Sequence, residues 1–161
     1  MEKKHVILIV KYLFMFNDIC KYCFVKRNEF EKFTDGNCPE RMKAFLQILE
    51  VKFNAYQCNI DFLLDELKIT KDDLSFITYK FFNAPPKKLL ENLRLWHSLR
   101  ISEEEHNMNV LANKCGYEWI STFRKAFKRR FGFTYEHYKQ LISNSPDKAK
   151  IINEMVDGLW K

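Results

Sequence analysis

The stretch CGYEWISTFRKAFKRRFGFTYEHYK, residues 115–139, decides how the rest of the chain is read. Phe123, Ala126 and Phe127 fall at i, i+3 and i+4, which predicts a helix over about Trp119–Arg130 with those three residues inward. Ile120, Ser121, Arg124, Lys125 and Lys128 then share the opposite face. Gly116 stands just before this helix, where a sharp turn requires a positive φ. Gly132 ends it, Thr134 is placed to cap the next helix, and Tyr138 packs back. Upstream, Asn107 is placed to cap a short helix that turns Met108, Leu111 and Ala112 inward. The result is a helix, a tight turn and a second helix with a basic outer face. Such a helix fits the DNA major groove: side chains on its first turns reach base edges, and later Arg and Lys meet phosphates. The plainer reading of the same residues is a solvated basic face on a structural helix.

Charge sharpens the choice. The chain of 161 residues carries a formal net charge of +6, and the excess is local. Residues 110–140 hold seven basic side chains (Lys114, Arg124, Lys125, Lys128, Arg129, Arg130, Lys139) against two acidic ones (Glu118, Glu136), a net of +5. Residues 58–109 hold seven against nine, a net of −2, and residues 1–57 hold ten against seven, a net of +3. Positive charge concentrated on one predicted helix permits nucleic acid as a partner.

Outward from this segment the chain reads as short helices. Ile60–Leu67 turns Leu63, Leu64 and Leu67 inward; Thr70 is placed to cap Lys71–Phe82, where Leu74, Ile77, Thr78 and Phe81 share a face. Asn83-Ala84-Pro85-Pro86 breaks the chain and opens a longer helix with Leu89, Leu90, Leu93, Trp96 and Leu99 on its apolar side. Ser102–Glu105 has capping-box spacing and is expected to begin another helix. Apolar recurrence between Pro39 and Gln57 predicts an amphipathic helix over 40–56, and Ser145-Pro146-Asp147 opens a last one with Ile151, Ile152, Met155, Val156 and Leu159 in a stripe. A short helix, a turn and a longer helix occur twice, at 60–82 and 108–131, as an internal repeat. Four Gly, four Pro and 47% hydrophobic residues fit an all-α fold with a real core.

Cys115-Gly116-Tyr117, then Phe123, then Ala126 through Thr134, then Tyr138-Lys139, resemble the signature of the AraC/XylS family DNA-binding domain. The intervals between Gly116, Phe123, Phe127, Gly132 and Tyr138 all agree, and a weaker similarity extends back to about Cys58. The resemblance implies two helix-turn-helix units joined by a long linker helix, here at about 86–100. It implies base contacts from Ile120, Ser121, Arg124 and Lys125, and backbone contacts from Lys128, Arg129 and Arg130. Arg94 matches a linker-helix arginine with a structural or phosphate-contacting role. In the first unit Asp72, Ser75 and Phe76 take the base-contacting positions. They make a weak reader, because Asp72 and Asp73 repel phosphates and Phe76 can touch only a thymine methyl. Tyr135 stands where the family has Pro, and Asn83 where it has Gly. The expected segments are 1–57 as an N-terminal region open to self-association, 58–143 as the DNA-binding domain, and 144–161 as a C-terminal helix. The 57 residues before it are too few for the family's usual effector-binding barrel.

Other chemistry is thin. Val6–Phe16 is apolar after Lys3 and Lys4, but no small-residue cleavage site follows. Lys11, Asp18 and Lys21 interrupt the ~20 apolar residues that a membrane span needs. Cys20 and Cys23 have half a zinc or redox spacing without a second close pair; five cysteines read as reduced thiols in a bacterial cytoplasm. His5, His97, His106 and His137 are scattered, and no phosphate loop, nucleophile elbow or paired acid–base set argues for an enzyme, a metal or a cofactor. The expected partners are double-stranded DNA, a second copy of the chain and RNA polymerase. The rival readings are a protein-interaction module derived from such a regulator, with weakened DNA binding, and a regulator tethered to a membrane through residues 6–24, against which the charges at 11, 18 and 21 stand.

Overall fold

The computed structural model describes residues 38–159, and every element among them is a helix. They divide into two compact units: residues 38–53 with 58–89, and residues 54–57 with 90–159. The apolar N-terminal stretch and the Cys20/Cys23 pair lie outside the described residues. No helix among those described is long and apolar enough to cross a membrane.

The first unit holds α1 (Cys38–Lys52), α2 (Ile60–Leu67) and α3 (Lys71–Phe82). Asn59 caps α2 through its side-chain oxygen, which accepts from the Phe62 amide at 2.9 Å. A reciprocal capping box starts α3: Thr70 Oγ1 accepts from the Asp73 amide at 3.2 Å, and Asp73 Oδ2 accepts from the Thr70 amide at 3.1 Å. Asn83 closes α3 in the left-handed region at φ 54°, with its amide bonded to the Tyr79 carbonyl. Phe45, Leu49 and Phe53 join Leu63, Leu74 and Ile77 in the core, and the Phe45 and Phe82 rings meet edge-on at 6.3 Å. The expected helix over 40–56 ends early, at Lys52. The Phe53 amide still reaches the Leu49 carbonyl, after which residues 54–57 turn and Tyr56 is exposed rather than part of the stripe.

Helix α4 (Pro86–Ile101) opens with proline in its first turn, where a missing amide costs nothing. The second unit continues with α5 (Met108–Lys114), α6 (Ile120–Phe131), α7 (Tyr135–Asn144) and α8 (Lys148–Leu159). The inward residues of α4 include Leu93, Leu95, Trp96 and Leu99, with Asn92 and Ser98 also buried. Asn92 Nδ2 donates to the Leu159 carbonyl at 2.8 Å, so one buried polar group is satisfied by the end of α8. The expected helix start at Ser102 is absent. Residues 102–104 form a turn, Ser102 is buried, and its hydroxyl bonds the Leu99 carbonyl at 2.7 Å and the Tyr138 hydroxyl at 2.8 Å. That oxygen is occupied within the core, and Asn107 caps the next helix instead, its side chain accepting from the Asn109 and Val110 amides. Glu103 and Glu105 are therefore turn charges, paired with Lys148 at 2.8 Å and Lys114 at 2.7 Å.

Candidate nucleic-acid interface

Helix α6 is built on an aromatic core. Phe123 and Phe127 of α6 pack against Tyr135 of α7 with ring centroids at 5.3 and 5.2 Å, and Phe127 also meets Tyr138 at 5.7 Å. Such edge-on and tilted pairs each add about 0.5–1.5 kcal/mol beyond their burial. Both tyrosines are wholly buried, and desolvation pushes their hydroxyls above the usual tyrosine range, Tyr138 to about 12. Tyr135 is thus a core residue, which the sequence disclosed only as a departure from proline. The side-chain oxygen of Thr134 accepts from the His137 amide at 3.2 Å, which starts α7 squarely against α6.

The turn between α5 and α6 is the tightest part of the site. The amides of Cys115, Gly116 and Tyr117 fold back onto the carbonyls of Leu111, Asn113 and Ala112 at 3.0, 3.0 and 2.9 Å. Gly116 holds φ +85°, and a Cβ there would come within 2.7 Å of Arg94 Nε and 3.1 Å of the Asn54 carbonyl carbon. Arg94 in turn donates to the Ala55 carbonyl at 2.9 Å and lies 5.7 Å from the centre of the Tyr117 ring. It therefore braces the turn from inside. Burial pushes the Cys115 thiol up to about 12, so it stays protonated there.

The outer face of α6 presents Ser121, Arg124, Lys125, Lys128 and Arg129 exposed, with Ile120 half-buried at its start. These side chains differ in what already holds them. Arg124 is paired with Glu136, Arg129 with Glu91, and Arg130 Nη2 donates to the Leu159 carbonyl at the end of α8. Lys125 and Lys128 carry no ion pair among the described residues. Trp119 was not singled out in the sequence. It precedes α6 in extended conformation, makes no side-chain capping bond and is 64% exposed. Spacing alone gave no sign of this, because Trp119 stands four residues before Phe123, in register with the Phe123/Phe127 stripe, and is exposed because it lies outside the helix at its N-cap.

In the first unit the structure places Asp72 and Phe76 at the surface of α3 and Ser75 half-buried. Asp73 is committed elsewhere. Its capping bonds to Thr70, and to a lesser degree Arg41 at 3.7 Å, hold its carboxyl below the usual aspartate range. Phe76 and Tyr79 are 56% and 53% exposed.

A family model described as a helix-turn-helix domain matches residues 63–141. The chain is 34% identical over 86 residues to the raffinose operon transcriptional regulatory protein RafR of Pediococcus pentosaceus, an alignment covering 53% of this chain and 31% of that protein. The chain thus spans less than a third of that relative's length. No solved structure matches it. The matched region runs from α2 to α7 and contains both helix–turn–helix repeats and the helix joining them; with the intervals from Gly116 to Tyr138, it makes residues 63–141 a helix-turn-helix domain similar to those of AraC/XylS-type regulators.

Proposed function

We propose that this protein binds duplex DNA sequence-specifically to regulate transcription in the bacterial cytoplasm, and that α6 does most of the base reading. The observation that carries this is the two-sided character of α6: three fully buried residues inward, and a run of exposed polar and basic side chains outward, on a helix braced at both ends. Ile120, Ser121, Arg124 and Lys125 on the first turns face base edges, and Lys128 and Arg129 on the later turns meet phosphates. Arg130 and Arg94 are held by carbonyls of the chain itself, so their contribution is to keep α6 and its turn in place. Asp72, Ser75 and Phe76 make the first unit a weaker contact. A second copy of the chain binding an adjacent half-site, and RNA polymerase, are the further partners this reading takes in.

A salt titration of binding to random-sequence duplex tests the phosphate role. Each phosphate contact adds about 0.9 to the slope of log affinity against log salt. Lys128→Ala is expected to lower that slope by about one while weakening all sequences alike. An unchanged slope would remove Lys128 from the contact.

A second reading, a protein-interaction module, is favoured by the exposed Phe76 and Tyr79 on α3. It predicts no slope on DNA at all.

A further inference from the structure

Among the basic residues on the outer face of α6, Arg124 alone is gripped from the first turn of the following helix. Glu136 Oε1 accepts from Arg124 Nε at 2.8 Å and lies 2.7 Å from Nη2 in the same ion pair. Both donors belong to one edge of the guanidinium. The other end, Nη1 with the second Nη2 proton, is the fork that matches guanine O6 and N7. Glu136 is itself fixed. It follows Tyr135, which is wholly buried against Phe123 and Phe127, and sits in the first turn of a helix capped by Thr134. Both charged side chains remain about half exposed, 49% and 48%.

An exposed pair of this kind contributes little to folding, about 0–1 kcal/mol. Its effect on recognition is larger for two reasons. Arg has a long, rotamer-rich side chain, and a partner that holds one edge removes much of the ordering that binding would otherwise require. The same carboxylate repels phosphates, so it disfavours binding that does not use the Arg124 fork.

We propose that Glu136 is a positioning residue that orients Arg124 to read a guanine in the major groove, exchanging general affinity for discrimination. This rests on the reading of α6 as the base-contacting helix. A carboxylate that merely sat nearby would weaken specific and random binding equally. A positioning carboxylate moves them in opposite senses.

The test uses the full chain and a duplex selected from a random pool by the parental protein. The readout is its affinity relative to random duplex and to single-base variants. Glu136→Ala is expected to tighten random-duplex binding. It should also reduce discrimination at the guanine, by about tenfold, within the ~1–3 kcal/mol that one bidentate contact supplies. Glu136→Gln keeps an acceptor oxygen and should restore part of that discrimination. In an Arg124→Ala background, adding Glu136→Ala should leave the discrimination ratio where it was. If Glu136→Ala leaves the ratio unchanged while Arg124→Ala lowers it, the positioning role is wrong and the base-reading role stands. If the parental protein shows no preference over random duplex, or Arg124→Ala does not alter it, the base-reading account itself falls and the inference with it.

Discussion

At the scale of single residues, two glycines show how differently one conformation can be used. Gly116 and Gly132 have nearly the same φ, +85° and +82°, but a Cβ added at Gly132 would meet nothing within 4 Å, whereas one at Gly116 would meet Arg94 and the Asn54 backbone. Gly132→Ala should therefore cost only the left-handed penalty, roughly 1–2 kcal/mol. Gly116→Ala adds a collision with the brace of the turn and should cost on the order of 3 kcal/mol or more. Chemical denaturation of the two variants distinguishes them; equal losses would show that Arg94 moves aside freely. Trp119 gives the second residue-scale prediction. Its exposed ring beside the first turn of α6 offers a thymine methyl an apolar contact. Replacing thymine by uracil at successive positions of the selected site should weaken the parental protein at one of them and leave Trp119→Ala indifferent there. Uniform indifference of both proteins would remove Trp119 from the interface. The turn glycines were legible in the sequence because positive φ is a local requirement. Trp119 and the Arg124–Glu136 pair were not, because exposure and a contact twelve residues apart depend on how α7 packs on α6.

At the scale of elements, most helices announced themselves through caps and periodicity. Asn59 was not noted in the sequence, yet it caps α2; Thr70, Asn107 and Thr134 cap where local chemistry places them. The failure at Ser102 has a physical cause: its hydroxyl is claimed by the Leu99 carbonyl and the Tyr138 hydroxyl, partners invisible to local spacing. The end of α1 was likewise not legible in local spacing: the chain turns after Lys52, and the Ala55 carbonyl accepts from Arg94. Helix α4 also carries a pH signature. Burial, and then the nearby Arg100 charge, lower the His97 pKa below its ordinary value. The unfolded chain then takes up the proton first, so stability is fully present above about pH 6.5 and is lost as pH falls through the folded pKa. Denaturation midpoints measured between pH 7 and pH 5.5 should decline in the parental protein and flatten in His97→Gln. A decline of the same size in the variant would assign the effect to another group.

At the scale of the whole molecule, the two helix-turn-helix repeats share a pattern but not a charge. Residues 58–109 sum to −2 and residues 110–140 to +5. The repeat of a short helix, a turn and a longer helix was legible in the sequence, as was the inequality of charge between its two copies. Asp73 does not contribute to it as a groove-facing charge, because the capping box holds its carboxylate against Thr70. Asp72, exposed one position earlier on α3, is the acidic residue left to oppose a phosphate backbone. The central claim, that α6 does most of the base reading and α3 little, is tested most directly by one comparison. It is the ratio of affinities for the selected site and for random duplex, measured at one salt concentration for the parental protein, Arg124→Ala and Asp72→Asn. The account predicts that Arg124→Ala lowers the ratio by about 1–3 kcal/mol in free-energy terms, while Asp72→Asn tightens both affinities and leaves the ratio unchanged. A ratio preserved in Arg124→Ala but lost in Asp72→Asn, with the fold intact by circular dichroism, would contradict it and make α3 the reader.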